Sequence, residues 1–236
     1  MACMPALQGA FAGVKCGILD QCSSCLGRAG CALLLDCRDL STRAVWIAQG
    51  IQVVVCNTMS PRRLSGGEYA QRRAECEQGA AALGVSTLRD ATEPMLAAIR
   101  HALPETVARR CEFIVGENAR VSSLAAALTA GDRAAVARLC AESFAGARDL
   151  YQICSPAMSA MMEAMLAAPG AIGARQAGAG FGGCMVALVD SSAASTRDFC
   201  AAVEEAYGRA TGVRAEVYAV EAAPPAGLFD AGEGNR

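Results

Sequence analysis

The residues that could do chemistry fall in a few stretches. In Gly13-Val-Lys-Cys-Gly-Ile-Leu-Asp20-Gln21 a single carboxylate, Asp20, sits where Ile18, Cys22, Cys25 and Leu26 recur at helical spacing and Gly27 ends the run. Asp20 then lies near a helix N-terminus, where the dipole and the free amides favour an ionised carboxylate. Gly178-Ala-Gly-Phe-Gly-Gly183 forms a tight turn whose missing side chains let a backbone or a phosphate approach closely. No Lys-Ser/Thr follows it, so it is not a Walker loop, and a strand rather than a helix comes next, which argues against a dinucleotide fingerprint. Each stretch also has an ordinary reading: one acidic residue among 23 complementing a helix end, and a β-hairpin connection. Tyr69 reads as an amphipathic-helix residue, and Arg72-Arg73 as a solvated face partnered by Glu68, Glu75 and Glu77.

The elements that must position these residues follow from periodicity. After the helix over 16–27, strands are expected at Cys31 to Asp36, Ala44 to Ile47 and Ile51 to Cys56, the last a nearly continuous apolar run of the kind a sheet buries on both faces. Ser65 and Glu68 have the spacing of a capping box, so a helix opens there and Gly84 closes it. A helix over Pro94 to Leu103 precedes a longer one opened by Pro104, with Val107, Cys111, Ile114, Val121 and Leu124 on its apolar side. Gly131-Asp132 stops that helix and caps the next, over Ala134 to Tyr151. Ser155-Pro156 opens a helix that runs to Gly170 with a core-filling methionine stripe, Met158, Met161, Met162 and Met165. Strands at Ile172 to Arg175 and Met185 to Val189 flank the glycine loop. A helix over Asp198 to Tyr207 and a strand over Val213 to Val220 complete an α+β pattern.

Composition narrows the class. The 236 residues suffice for one large or two small domains, and 53% hydrophobic with 19% charged residues excludes a disordered chain. A net charge of −2 without a basic stripe excludes nucleic acid and anionic membrane surfaces as partners. No run reaches the ~20 apolar residues of a membrane span and no signal-peptide pattern opens the chain, so a cytoplasmic location is expected. The 13 cysteines, odd in number and set in apolar periodicity, read as buried thiols. Cys22-Ser-Ser-Cys25 with Cys31 and Cys37 lacks zinc-site spacing, and His101 is remote, so no metal ligands are assigned.

Matching landmarks in order identify the chain as resembling a galactokinase of the GHMP kinase superfamily. They are Cys16-Gly-Ile-Leu-Asp20-Gln21, Ser65-Gly-Gly-Glu-Tyr-Ala-Gln-Arg-Arg-Ala-Glu-Cys76, Glu117-Asn118 with Arg120, Arg148-Asp149 with Tyr151, Ser155-Pro156, and the loop Gly178 to Gly183. The family's first motif, an Arg with Gly-Glu-His-Thr-Asp, and its Pro-x-Gly-x-x-Ser-Ser-Ser phosphate loop do not occur, so the resemblance is to an N-terminally truncated member. Further departures include Asn57 in place of the common Asp, Phe144 in place of His, and Gln176-Ala177 in place of the usual Met-Thr.

The resemblance implies an α+β GHMP fold: residues 1–105 as the remainder of an N-terminal domain like ribosomal protein S5 domain 2, residues 106–221 as a ferredoxin-like C-terminal domain, and 222–236 as a disordered tail. It implies ATP- and Mg²⁺-dependent phosphorylation of galactose at its anomeric hydroxyl. Asp20 would be the catalytic base or electrostatic anchor, Gly17 and Tyr69 would contact the sugar, and Gly178, Gly180, Gly182 and Gly183 would border the cleft. The alternatives are a noncatalytic fragment with a binding role, or a GHMP kinase for a related sugar such as arabinose. A truncated N-terminal sheet would leave an exposed edge and apolar face, through which a second copy or a partner chain is expected to associate.

Overall fold

The computed structural model describes residues 17–60 and 67–227. The backbone divides into two units, 1–47 with 221–236 and 48–220.

In the first unit, helix α1 (Leu19–Leu26) leads into strand β1 (Cys31–Leu35), which pairs antiparallel with β2 (Thr42–Trp46), Cys31 opposite Trp46 and Leu35 opposite Thr42. The guanidinium of Arg28 lies 5.6 Å from the centre of the Trp46 ring, a cation–π distance. Part of the segment read as a disordered tail is tied down here: Gly30 donates its N–H to the Ala222 carbonyl at 3.1 Å, and Ala226 donates to Ser24 at 2.8 Å.

The second unit is built on a four-stranded antiparallel sheet in the order β4-β5-β3-β6. Its strands are β3 (Ile51–Asn57), β4 (Ala171–Gln176), β5 (Cys184–Asp190) and β6 (Glu216–Val220). Six α-helices accompany it among the described residues: α2 (Glu68–Leu83), α3 (Glu93–Ile99), α4 (Glu105–Ala130), α5 (Arg133–Gly146), α6 (Pro156–Ala167) and α7 (Thr196–Thr211). Strand β3, read from sequence with the N-terminal domain, pairs instead with β5 (Asn57 opposite Cys184) and β6 (Asn57 opposite Glu216). Nor is β3 buried on both faces. Val54 and Cys56 are inaccessible, whereas Val53 and Val55 between them are partly exposed, because the methionine-rich core backs one face only.

That core joins the sheet to α6 and α7 through Met158, Met161, Met165, Met185, Phe199 and Tyr207, confirming the methionine stripe as filling. Local caps act as their sequences dictate. Asp132 accepts from Ala135 N–H at 3.0 Å, Ser155 accepts from Met158 N–H at 3.3 Å, and Gly84 and Gly131 end their helices in the left-handed region.

Two helix ends differ from the sequence reading. Ser65 lies outside the described residues, and the N-cap of α2 is Gly67 at φ 75°, with no side-chain cap. The helix expected to run to Tyr151 stops being α-helical at Gly146 and widens into a π-turn over Ala147–Tyr151, which Gln152 ends in the left-handed region. Phe113 and Arg120 of α4 lie against Gly146, where a β-carbon would meet Phe113 at 2.8 Å, so α4 approaches closely where the register changes.

Candidate functional site

The glycine loop joins β4 to β5, and its mouth is closed by Ala177 donating to the Cys184 carbonyl at 3.0 Å. All four of its glycines have positive φ, from 72° at Gly178 to 139° at Gly182. The hairpin reading of this stretch is thus correct, and three anchors make it more than a connection. Phe181 donates its N–H to the Ile153 carbonyl at 2.7 Å; Gly183 donates to Ser60 at 3.3 Å; and the Gly183 carbonyl accepts from both Thr58 N–H at 3.1 Å and Thr58 Oγ1 at 2.8 Å. A β-carbon on Gly180 would sit 2.6 Å from the Ile153 oxygen, so backbone meets backbone there and only glycine fits.

Strain gathers around the same loop. Among the described residues the non-glycine positions with positive φ are Leu40, Met59, Gln152 and Phe181. Three of these belong to the loop or to the segments anchoring it. Each left-handed residue costs about 1–2 kcal/mol, so such a cluster persists only where surrounding contacts over-determine it.

At Gln152 those contacts include arginines. A helix end leaves its last carbonyls without intrahelical partners, and the turn after α5 has four of them capped by side chains. Arg109 donates to the Asp149 carbonyl, Arg110 to Leu150, and Arg72 to Tyr151 at 2.7 Å and to Gln152 at 3.3 Å. Arg110 also reaches Gln152 Oε1 at 2.8 Å. Glu75 compensates both charges, with Oε2 2.8 Å from Arg110 Nε and 3.3 Å from Arg72 Nη1. The Tyr151 ring stacks on Phe113 with centres 4.9 Å apart, and its hydroxyl lies 3.5 Å from Cys76 Sγ. Burial, then Cys76, pushes that phenol well above the usual tyrosine range.

Gly17 and Asp20 fall together at the start of α1 in the first unit. Asp20 is exposed in the first turn, and a β-carbon on Gly17 would meet nothing within 4 Å. Tyr69, in the first turn of α2, is 42% exposed and near enough to Tyr151 to raise that phenol further. Gly178, Gly180, Gly182 and Gly183 lie in the anchored β4–β5 loop of the second unit. Sequence reasoning missed the arginine cluster. Arg73 does pair with Glu77 on the surface, but Arg72 is only 12% exposed and faces the turn. Arg110 interrupts the apolar positions Val107, Cys111 and Ile114, and a cation beside such a stripe was the available signal.

The N–H groups of Ala177, Phe181 and Gly183 are committed to protein carbonyls, so they do not fit a phosphate cradle. Among the described residues no three His, Cys, Asp or Glu side chains are grouped to hold a metal ion. Thiol chemistry is unfavoured in the core: burial pushes Cys56 to about 12, and Cys111 and Cys154 to about 11. No helix among the described residues is long and apolar enough to cross a membrane.

Comparison with known proteins agrees with this architecture. A family described as GHMP kinases C terminal matches residues 124–207. The galactokinase of Roseiflexus sp. (strain RS-1) is 43% identical over 225 residues, covering 93% of this chain and 57% of the relative. That of Chloroflexus aggregans is 43% identical over 207 residues, covering 86% and 53%. Among solved structures, Lactococcus lactis galactokinase complexed with galactose superposes with a TM-score of 0.85 at 28% identity, over 94% of this chain and 58% of that one. The chain spans about half the length of the curated relatives it matches. On these matches residues 124–207 carry the GHMP kinases C terminal family, and the chain is similar to galactokinases over most of its own length.

Proposed function

We propose that this chain serves the ATP-dependent phosphorylation of galactose at its anomeric hydroxyl. The observation that carries the reading is the superposition on a galactokinase complexed with galactose, over 94% of the chain. In this reading Asp20, exposed at the N-terminus of α1, acts on the anomeric hydroxyl as proton acceptor or electrostatic anchor. Gly17 and Tyr69 contact the sugar, and the glycine loop borders the cleft. ATP and Mg²⁺ enter as the family's requirement, and a cytoplasmic location belongs to the same proposal. The Ala177, Phe181 and Gly183 amides, already held by protein carbonyls, take no phosphate in this reading.

Those committed amides favour a second reading, in which the chain binds the sugar without transferring a phosphoryl group. One experiment separates the two. ADP release is measured with ATP, Mg²⁺ and galactose for the wild type and for Asp20→Ala, beside a thermal-shift titration with galactose and arabinose. Turnover that falls about 10²-fold or more in Asp20→Ala supports the kinase. Galactose-selective stabilisation without turnover supports the binding reading, and folded protein that responds to neither sugar overturns both.

A further inference from the structure

The arginine-capped turn and the glycine loop are joined by one residue. Ile153 follows directly on the capped carbonyls of Leu150, Tyr151 and Gln152, and its own carbonyl is the seat for Phe181 N–H, with no room for a β-carbon at Gly180. The turn is a poor foundation by itself. It is the end of a helix, which leaves the last carbonyls without intrahelical partners, and it closes in a non-glycine left-handed residue at φ 57°. Cations from two other helices occupy those carbonyls. Charge-assisted hydrogen bonds of this kind are about twice as strong as neutral ones, and a guanidinium fork spans two carbonyls at once. Arg72 does this across Tyr151 and Gln152, and Arg110 does it between Leu150 and the Gln152 side chain.

We propose that Arg72 and Arg110 are positioning residues for the glycine loop: by fixing the turn before Ile153, they set the carbonyl on which Gly180 and Phe181 are seated. Glu75 belongs to the same device, because it neutralises both cations where they are withdrawn from water. The competing account is that packing of Phe113, Ala147 and Ile153 holds the turn and the arginines only solvate its end. The functional consequence rests on the reading that this loop borders the sugar cleft, so the test carries an arm independent of activity.

That arm is residue-resolved amide hydrogen exchange on the whole 236-residue chain, comparing wild type, Arg72→Lys and Arg72→Ala, with urea midpoints recorded for each. Arg72 is the position to vary because it retains some exposure, whereas removing Arg110 would strand Glu75 in the interior. In Arg72→Ala the Phe181 amide should exchange about 10-fold faster or more, while the amides of β5 keep their wild-type protection. Arg72→Lys, which keeps the charge and loses the fork, should fall between. Unchanged exchange at Phe181 in a folded variant overturns the proposal, and so does equal acceleration at Phe181 and in β5, which would mean a general loss of stability. In the second arm, the KM for galactose of Arg72→Lys should rise several-fold with little change in the KM for ATP. If the wild type shows no turnover, the kinase reading fails and the exchange arm still decides the positioning role.

Discussion

The Arg110 guanidinium, 2% exposed, donates from Nε to Glu75 Oε2 at 2.8 Å, joining α4 to α2 by an ion pair removed from water. Burial alone would raise the Glu75 carboxyl, but the Arg110 hydrogen bond, the Arg110 charge and the Arg72 charge outweigh it, and the group titrates below its usual range. Its folded value is therefore lower than its unfolded one. The contribution to stability is complete above the ordinary carboxylate value of about 4.3 and is lost as pH falls through the folded value. Glu75→Gln leaves Arg110 buried without its counter-charge and should cost about 3–5 kcal/mol at pH 7. The gap between variant and wild type should narrow as pH falls below about 4, read as urea midpoints across pH 3–7. A gap of constant size would show that the carboxylate charge is not what matters.

The contact between α2 and α4 is close enough to be tested with single atoms. A β-carbon on Gly79 would lie 2.1 Å from Cys111 Sγ, so Gly79→Ala should destabilise by about 1–3 kcal/mol through overpacking, despite alanine's better helix propensity. Cys111→Ala removes the clashing sulfur and should rescue most of that loss in the double variant, giving a coupling of about 1 kcal/mol or more in a double-mutant cycle. Additive single effects would mean that the helices part instead of colliding.

Gln176 ends β4 opposite Met185 and is 4% exposed, with no hydrogen-bond partner for Oε1. It shares its strand face with Ala174, which belongs to the methionine-rich core. Replacing the amide by a chain of similar length without the orphaned oxygen should stabilise the protein. Gln176→Met is expected to gain about 1–2 kcal/mol in urea unfolding. A destabilised variant would refute the assignment of this oxygen as unsatisfied.

Tyr207, 1% exposed, donates its hydroxyl to the Thr58 carbonyl at 2.8 Å, and Thr58 in turn holds the Gly183 carbonyl. Tyr207→Phe leaves that carbonyl buried and unpaired, which should cost about 1–3 kcal/mol. Because the break lies on the path to the loop, exchange at the Gly183 amide should quicken more than exchange in α7. Equal acceleration at both would place the loss in the core alone.

Much of the local structure was legible in the chain. Gly84, Gly131-Asp132 and Ser155-Pro156 end or open helices through groups that act within four residues, so their effect is written in adjacent sequence. The methionine stripe declares its core face by spacing, and ordered landmarks from Asp20 to Gly183 carry the resemblance to galactokinases. What the sequence could not decide is which surfaces meet. Strand β3 had to be seen pairing with β5 and β6, more than 120 residues on in the chain, before its single buried face made sense. Arg72 and Arg73 are neighbours with the same charge, yet one caps a turn about 80 residues away while the other rests on Glu77 in solvent. Periodicity reports how a residue is oriented on its own helix. The partner opposite it is chosen by packing between distant segments, and only the tertiary structure could place Ile153 beneath Gly180.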